Sequence, residues 1–451
     1  MANNKPFKIK NGLQANRYID NAVVPTTGAE GPSTSFSTTL YTGNGVNTAD
    51  SNPITGVGFT PSFAWIKSRT STYDHHIQDS VTGLAKFRQS NSAAADQNTG
   101  GGDVSSFDAD GFTISYANNR TNASGEPYVA WLWKESSNFF DIVTYNSSSG
   151  NVTNFGSAGA TVNHNLGSVP GMIIVKCTDT AATNWKVYHR GLNGGTNPEQ
   201  YEIELNQTFA QADTPNSWND TAPTSTQFTL GVSGDVNNAS RSYVAYLFAH
   251  DTSDDGYIQC GNYTGTGTAG LEVNLGFKPQ WLLIKNTSND LWNWLLVDSE
   301  RGIVTGGNDA LLIPNGTNAE SATSNHVSVS ESGFSLESTS GAFNSSGHNF
   351  IYVAIRATVP TETLDLSTGN HFNITMTEAT NILFTNPPAS GTSTAFSLEV
   401  NNNGSTITWP TTIKWHENTT PAAASTKEVY TFITTDGGTT YYGKKAGENI
   451  S

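Results

Sequence analysis

One segment of this chain is written three times at a fixed interval, and that interval constrains the fold more than any other feature. GVGFTPSFAWIKSRT at 56–70 recurs as NLGSVPGMIIVKCTD at 165–179 and as NLGFKPQWLLIKNTS at 274–288. The proline falls at Pro61, Pro170 and Pro279, a period of 109 residues both times. Gly58, Gly167 and Gly276 keep the same step, as do Lys67, Lys176 and Lys285. A second landmark, Tyr128-Val-Ala-Trp-Leu-Trp133, returns as Tyr243-Val-Ala-Tyr-Leu-Phe248 and aligns with Tyr352-Val-Ala-Ile355. DGFTI at 110–114 returns as TQFTL at 226–230 and SGFSL at 332–336; DSVTG at 79–83 is matched more weakly by HRGLN at 189–193 and DSERG at 298–302.

Solenoid repeats run roughly 20–50 residues because each unit cannot bury its own core. A unit of about 110 residues is large enough to be a small domain. The sequence therefore divides into an N-terminal arm and linker at 1–37, three homologous repeats at 38–136, 137–252 and 255–358, and a different C-terminal piece at 361–451.

The repeats read as β structure. Phe63-Ala-Trp-Ile66, Met172-Ile-Ile-Val175 and Trp281-Leu-Leu-Ile284 are apolar runs of four, too short for a helix and suited to a strand covered on both faces. The preceding proline cannot donate to a ladder, so it marks where the strand begins. Composition agrees: only 35% of residues are hydrophobic and 13% charged. That mixture suits short strands with polar outer faces better than solvent-facing helices, which carry Lys, Glu and Arg. The expected fold is all-β: a β-sandwich per repeat, with the jelly roll as one topology that satisfies it, and a smaller C-terminal β domain. In that last piece Phe372, Ile374 and Met376 alternate, as do Phe396, Leu398 and Val400. Asn401-Asn-Asn-Gly404 and Asp436-Gly-Gly438 read as hairpin turns.

Net charge is −16, which argues against sequence-independent binding to nucleic acid. No run of about 18 apolar residues is present, so no membrane insertion is expected. MANNKPFKIKNGLQANRYID lacks the apolar core of a secretory signal, giving an expectation of cytosolic synthesis. Cys177 and Cys260 stand at non-equivalent repeat positions, so no disulfide framework is expected. Lys5, Lys8, Lys10 and Arg17, with Phe7 among them, make a basic arm on an acidic body, suited to docking on an acidic partner.

Catalysis requires converging groups, and none is evident. Asp79 and Asp298 match across two repeats, but His189 stands at that place in the second; a turn-capping role is the expectation over a glycosidase pair. FDADG at 107–111 and DTSDDG at 251–256 each supply part of a calcium loop and no more. His75-His76 read as a polar loop whose adjacent side chains chelate poorly together. No catalytic, metal or cofactor residue is assigned. The repeated lysines are expected to end their strands by reaching solvent, with a contact between neighbouring domains as the alternative. Tyr73, Trp185, Trp292 and Trp294 are the aromatics expected to contact a glycan or receptor, since aromatic faces stack on sugar rings and protein partners.

The repeat, with GFTPSFAWIK, SFDADGFTI and PYVAWLWK, resembles an uncharacterised domain family common in tailed phages of marine bacteria and cyanobacteria. ILFTNPPASGTSTAFSLEV, TWPTTIKW and YTFITTDGGTTYYG resemble a module at the ends of phage tail-fibre-like proteins; FKIKNGLQANRYI is similar to a leader shared by such virion proteins. The resemblance implies a non-catalytic virion structural protein, assembled in the host cytoplasm. It would be a tail fibre or appendage, anchored to other virion proteins through its arm and touching the host surface through its β domains. A homo-oligomer is implied, with a trimer favoured. Alternatives within reach are a capsid-decorating fibre and a host-glycan depolymerase; a bacterial adhesin or secreted lectin lacks an export signal here.

Overall fold

In the computed structural model the described residues are 32–49, 51–99, 103–253, 256–303, 306–359, 361–376, 379–402, 404–424 and 426–448. Lys5, Phe7, Lys8, Lys10 and Arg17 lie outside them. The chain forms two compact units, one ending at Ala357 and the other beginning at Thr358. The fold is all-β, and among the described residues no helix is long and apolar enough to cross a membrane.

Each repeat pairs a four-stranded sheet with a three-stranded one, all antiparallel. In the first repeat, Phe36–Thr42, Pro127–Trp133, Phe63–Ser68 and His76–Asp79 lie side by side in that order. Asn52–Thr55, Gly111–Ser115 and Asp103–Asp108 make the second layer. The third repeat repeats this plan with Ile258–Thr264, Asn349–Arg356, Pro279–Asn286 and Trp294–Asp298 over Leu271–Asn274, Gly333–Leu336 and Val327–Ser330. The second uses Phe140–Tyr145, Tyr243–Phe248, Met172–Cys177 and Lys186–His189, and widens that sheet with Tyr201–Glu204 and Ala212–Asp213. The repeated glycine has a conformational reason: Gly58, Gly167 and Gly276 all take positive φ, at 86°, 79° and 76°.

The apolar run is a strand buried on both faces, and the two faces serve different cores. Ala64 and Ile66 turn inward with Ile54, Phe112 and Leu132, forming the first sandwich's own interior. Phe63 and Trp65 turn the other way, into a core shared by all three repeats. The third repeat divides likewise: Leu282 and Ile284 face their own sandwich, while Trp281 and Leu283 join the shared core. Phe63 meets Tyr246 and Phe140 of the second repeat at ring-centroid distances of 4.8 and 5.6 Å. Trp133 meets Trp281 of the third at 5.6 Å and Phe248 of the second at 6.1 Å. The larger sheets of the three repeats, two of four strands and one of six, therefore lie against one another around a common aromatic centre. A repeat can carry an interior of its own, yet a large part of its apolar surface is buried only by its neighbours.

The register corrects the sequence alignment of the third repeat. Lys67 stands opposite Val129, Lys176 opposite Val244, and Lys285 opposite Ile351. The counterpart of Tyr128 and Tyr243 is thus Phe350, not Tyr352. Stacking agrees, for Tyr41–Tyr128, Tyr145–Tyr243 and Tyr263–Phe350 are equivalent pairs at 5.2, 5.2 and 4.8 Å.

The second unit has a three-stranded parallel sheet of Thr361–Asp365, Thr380–Thr385 and Ile407–Thr408. A five-stranded mixed sheet runs His371–Met376, Thr394–Asn402, Lys427–Thr434, Tyr441–Glu448 and Ile413–Trp415. The hairpin across Asp436-Gly-Gly438 is present. The turn expected at Asn401–Gly404 is not a hairpin: the chain leaves the larger sheet at Asn402 and pairs Ile407-Thr408 in the smaller one. An Asn/Gly turn permits tight reversal but does not oblige the next strand to pair with the last.

Candidate functional site

The three repeats close into a ring through contacts that recur at equivalent positions. Asp96 N donates to Thr178 O at 2.8 Å, Gln211 N to Thr287 O at 3.0 Å, and Glu320 N to Arg69 O at 2.7 Å. Each acceptor stands two residues after the repeated lysine, so first binds second, second binds third, and third binds first. The opposite side of each seam follows the same rule. Trp185 donates its indole N–H to Gln89 O at 3.1 Å, Trp294 to Glu204 O at 2.9 Å, and His75 Nε2 meets Ile313 O at 3.0 Å. Those carbonyls lie seven residues before Asp96, Gln211 and Glu320 in turn.

This geometry relocates two of the four expected contact residues. Trp185 and Trp294 are buried, at 0% and 1% exposure, and are seam residues rather than surface aromatics. Trp294 aligns with Trp185 and His75; Tyr73 and Trp292 are each half-buried near the surface. Trp292 lies close over Gly341, where a Cβ would sit 2.3 Å from the indole. Trp185 and Trp294 are consumed because an indole offers both a large apolar body and one N–H to place on a buried carbonyl.

His75 and His76 are buried, not on a polar loop. Trp65 Nε1 donates to His75 Nδ1 at 2.9 Å, so Nε2 carries the proton given to Ile313 O. Burial, helped by the nearby Lys67 charge, lowers the imidazole to about 3. His189 repeats the pattern: Gly191 N donates to its Nδ1 at 3.0 Å, and its Nε2 meets Tyr352 O of the third repeat at 3.0 Å. Burial lowers it to about 3 as well. Both rings are neutral with each nitrogen engaged, leaving no lone pair for a general base.

Asp79 and Asp298 cap turns, accepting from Thr82 N at 2.7 Å and Arg301 N at 3.0 Å. They also sit in different seams. Asp79 is bonded by Arg88 and, at 2.7 Å, by the Tyr246 hydroxyl of the second repeat. Asp298 accepts from Arg301 Nε at 2.7 Å and from Trp131 Nε1 of the first repeat at 2.8 Å. Neither carboxylate is exposed, so the two do not flank a substrate groove. Sequence reasoning missed Arg88, Arg301, Tyr246 and Trp131 as partners. The available signal was Trp131 and Tyr246 at matching positions of the second landmark, where a buried N–H or O–H requires an acceptor.

The repeated lysines do not reach solvent; all three are fully buried. Lys67 Nζ donates to Ser68 O and Ser71 O, and Lys176 Nζ to the carbonyl and hydroxyl of Thr183. Lys285 Nζ donates to Asn286 O, Trp292 O and, across the seam, Thr208 O of the second repeat at 3.0 Å. That last bond is the inter-domain contact. Burial lowers the amines to about 8, 8 and 7.

Of the acidic loops, Asp108 accepts from Ser106 and Thr113 hydroxyls, and Asp110 from Gly56 and Gly58 N–H groups. Among the described residues no group of three or more His, Cys, Asp or Glu is placed to hold a metal ion. Cys177 and Cys260 are buried free thiols. A cleft of about 430 Å³ on the third repeat is lined by Glu272, Asn274, Asn325, Ser328, Ser335 and Glu337. It lies on the outer face of the three-stranded sheet, away from the seams.

Fold and seams together define a closed ring of three β-sandwiches carried with a separate β unit. The chain belongs to the family described as Domain of unknown function (DUF7483), which matches residues 31–359. That single match runs through all three sandwiches. Comparison with curated proteins gave no match, and comparison with solved structures gave none.

Proposed function

We propose that this chain is a non-catalytic structural component of a tailed-phage virion, a tail fibre or appendage. Its basic arm, through Lys5, Phe7, Lys8, Lys10 and Arg17, anchors it to other virion proteins, and its β domains meet the host surface. The resemblance of the repeats and of the C-terminal module to such proteins supplies the class. The observation that carries the non-catalytic part is the inward use of the chemistry-bearing groups: Asp79, Asp298, His75 and His189 are all spent on seams. A scaffold needs satisfied buried groups; an enzyme needs some aimed at a substrate.

Host contact is proposed for the half-buried Tyr73 and Trp292 and the exposed loops beside them. Leu291, 74% exposed, adjoins Trp292, and Phe209 of the second repeat, 49% exposed, is held nearby because Ala210 N donates to Asp290 at 2.7 Å. A homotrimer is the proposed assembly. Light scattering separates a 48.1 kDa monomer from three times that mass. Mass spectrometry of purified particles of the encoding phage tests the main reading: the chain should be present in virions, and its absence from them rejects it. Adsorption of purified chain to host cells then distinguishes a host-contacting fibre from decoration.

A further inference from the structure

The C-terminal unit places an amine, a carboxylate and a side-chain amide in line at one end of its core. Three adjacent strands supply them: Thr394–Asn402 ends on Asn402, Lys427–Thr434 carries Glu428, and Tyr441–Glu448 carries Lys445. Asn402 continues the inward row of Phe396, Leu398 and Val400, and Glu428 that of Tyr430 and Phe432. Lys445 Nζ donates to Glu428 Oε1 at 2.7 Å, and Asn402 Nδ2 donates to Glu428 Oε2 at 3.1 Å. Asn402 Oδ1 accepts two backbone N–H groups, from Gly404 at 3.0 Å and Ser405 at 2.9 Å.

A buried glutamate needs partners, and Glu428 also accepts from Tyr430 Oη and Ala424 N, each at 3.0 Å. Satisfaction alone does not call for this set. One carboxylate bridges a primary amine and a carboxamide, the two reactants of amide exchange. The carboxamide oxygen, where negative charge develops on attack, already faces two preorganised donors. Nucleophile, proton carrier and oxyanion donors are all present on the protein itself.

We propose that Lys445 and Asn402 join in an intramolecular isopeptide bond, with Glu428 as the proton carrier. Lys445 first passes a proton to Glu428. The freed Nζ lone pair attacks Asn402 Cγ; the Nζ–Cγ bond forms as the carbonyl π pair moves to Oδ1, facing the Gly404 and Ser405 N–H groups. Glu428 delivers its proton to Nδ2 and takes another from the now positive Nζ. The π pair re-forms, the Cγ–Nδ2 bond breaks, and ammonia leaves. Glu428 returns its proton to that ammonia and ends as the carboxylate it began as. One amide replaces another, nothing is oxidised or reduced, and the chain becomes lighter by one ammonia.

Burial works to lower the Lys445 amine, but its bonds to Glu428 and Glu448 outweigh it and hold the amine above the ordinary lysine value. The first transfer is therefore uphill, and the bond forms slowly after folding. The link would tie the strand of Asn402 to the strand of Lys445 across the intervening one. It is independent of the proposed virion role.

The test is a peptide map of the full chain, fresh and after prolonged incubation. The expected result is one branched peptide joining the Asn402 and Lys445 segments, with wild-type intact mass one ammonia below the value calculated from its sequence and Lys445→Arg at its own calculated mass. Glu428→Gln should take the linked fraction from complete to none while circular dichroism stays β-rich. Recovery of the two peptides only as separate species, in fresh and aged wild-type protein alike, overturns the proposal whether or not any variant folds. Loss of ammonia without a branched peptide overturns it too, because a cyclic imide at asparagine gives the same mass.

Discussion

Trp131 of the first sandwich donates its indole N–H to Asp298 of the third at 2.8 Å, in the seam that closes the ring. Arg301 holds the same carboxylate oxygen at 2.7 Å and stacks its guanidinium over the Trp131 ring at 5.2 Å. A buried carboxylate with two such donors cannot be removed without stranding both.

Asp298→Ala should therefore lower unfolding free energy by about 3–5 kcal/mol, the range for breaking a buried charged pair. Urea denaturation followed by tryptophan fluorescence reads this directly. A change under about 1 kcal/mol would mean that the seam tolerates the loss and that its polar contacts are incidental.

Stability should rise with pH between about 7 and 9. Lys67, Lys176 and Lys285 release their protons near 8, 8 and 7 in the folded chain, whereas an unfolded lysine does so near 10.4. In that window the unfolded state binds more protons, so folding gains roughly 1.4 kcal/mol per pH unit for each lysine already neutral. From about pH 8.5 the gain weakens: burial raises the thiols of Cys177 and Cys260, and unfolded thiols, which titrate near 8.5, lose protons first. A melting temperature that falls steadily from pH 7 to 9 contradicts these buried amines. Lys285→Met should shallow the rise.

Two tryptophans separate scaffold from surface. Trp185→Ala, which empties a seam position, should cost about 3–5 kcal/mol. Trp292→Ala should cost less than that and instead reduce adsorption to host cells. Equal loss of stability, with adsorption unchanged, would remove Trp292 from the contact surface.

A chain ending at residue 252 should be soluble only as an associated species. It lacks the sheet that covers Trp133 and Phe36 through Trp281, leaving part of the shared core exposed. Size-exclusion chromatography of this truncation beside the full chain tests it. A monodisperse, cooperatively melting monomer would show the first two repeats to be self-sufficient.

The repeat and its sandwich plan were legible because a strand covered on both faces must be apolar at every position, as Phe63-Ala-Trp-Ile66 is. The same run hid the ring. Alternate residues serve different cores, and Ala64 and Trp65 give no sign of which face meets a neighbour. The lysines were misread for a related reason. Charge at the end of an apolar run ordinarily reaches water, and only the folded loops bring Ser71, Thr183 and Trp292 carbonyls to the amines. His75 and the tryptophans were ambiguous because polar atoms on aromatic rings suit a wet surface and a satisfied interior alike. The Asn402–Glu428–Lys445 set spans three strands with no repeated copy, so no spacing announced it.

The ring is closed within a single polypeptide, which changes how its surface can vary. In an assembly of identical subunits, one codon change alters every symmetry-related position together. Here the seam loops are encoded separately, and they have already diverged: Phe209 and Leu291 occupy one seam where Ala94 and Ala182 occupy the corresponding places of another. A threefold frame of this kind offers three adjacent sites that can be altered one at a time, without requiring the same residue to be tolerated three times over.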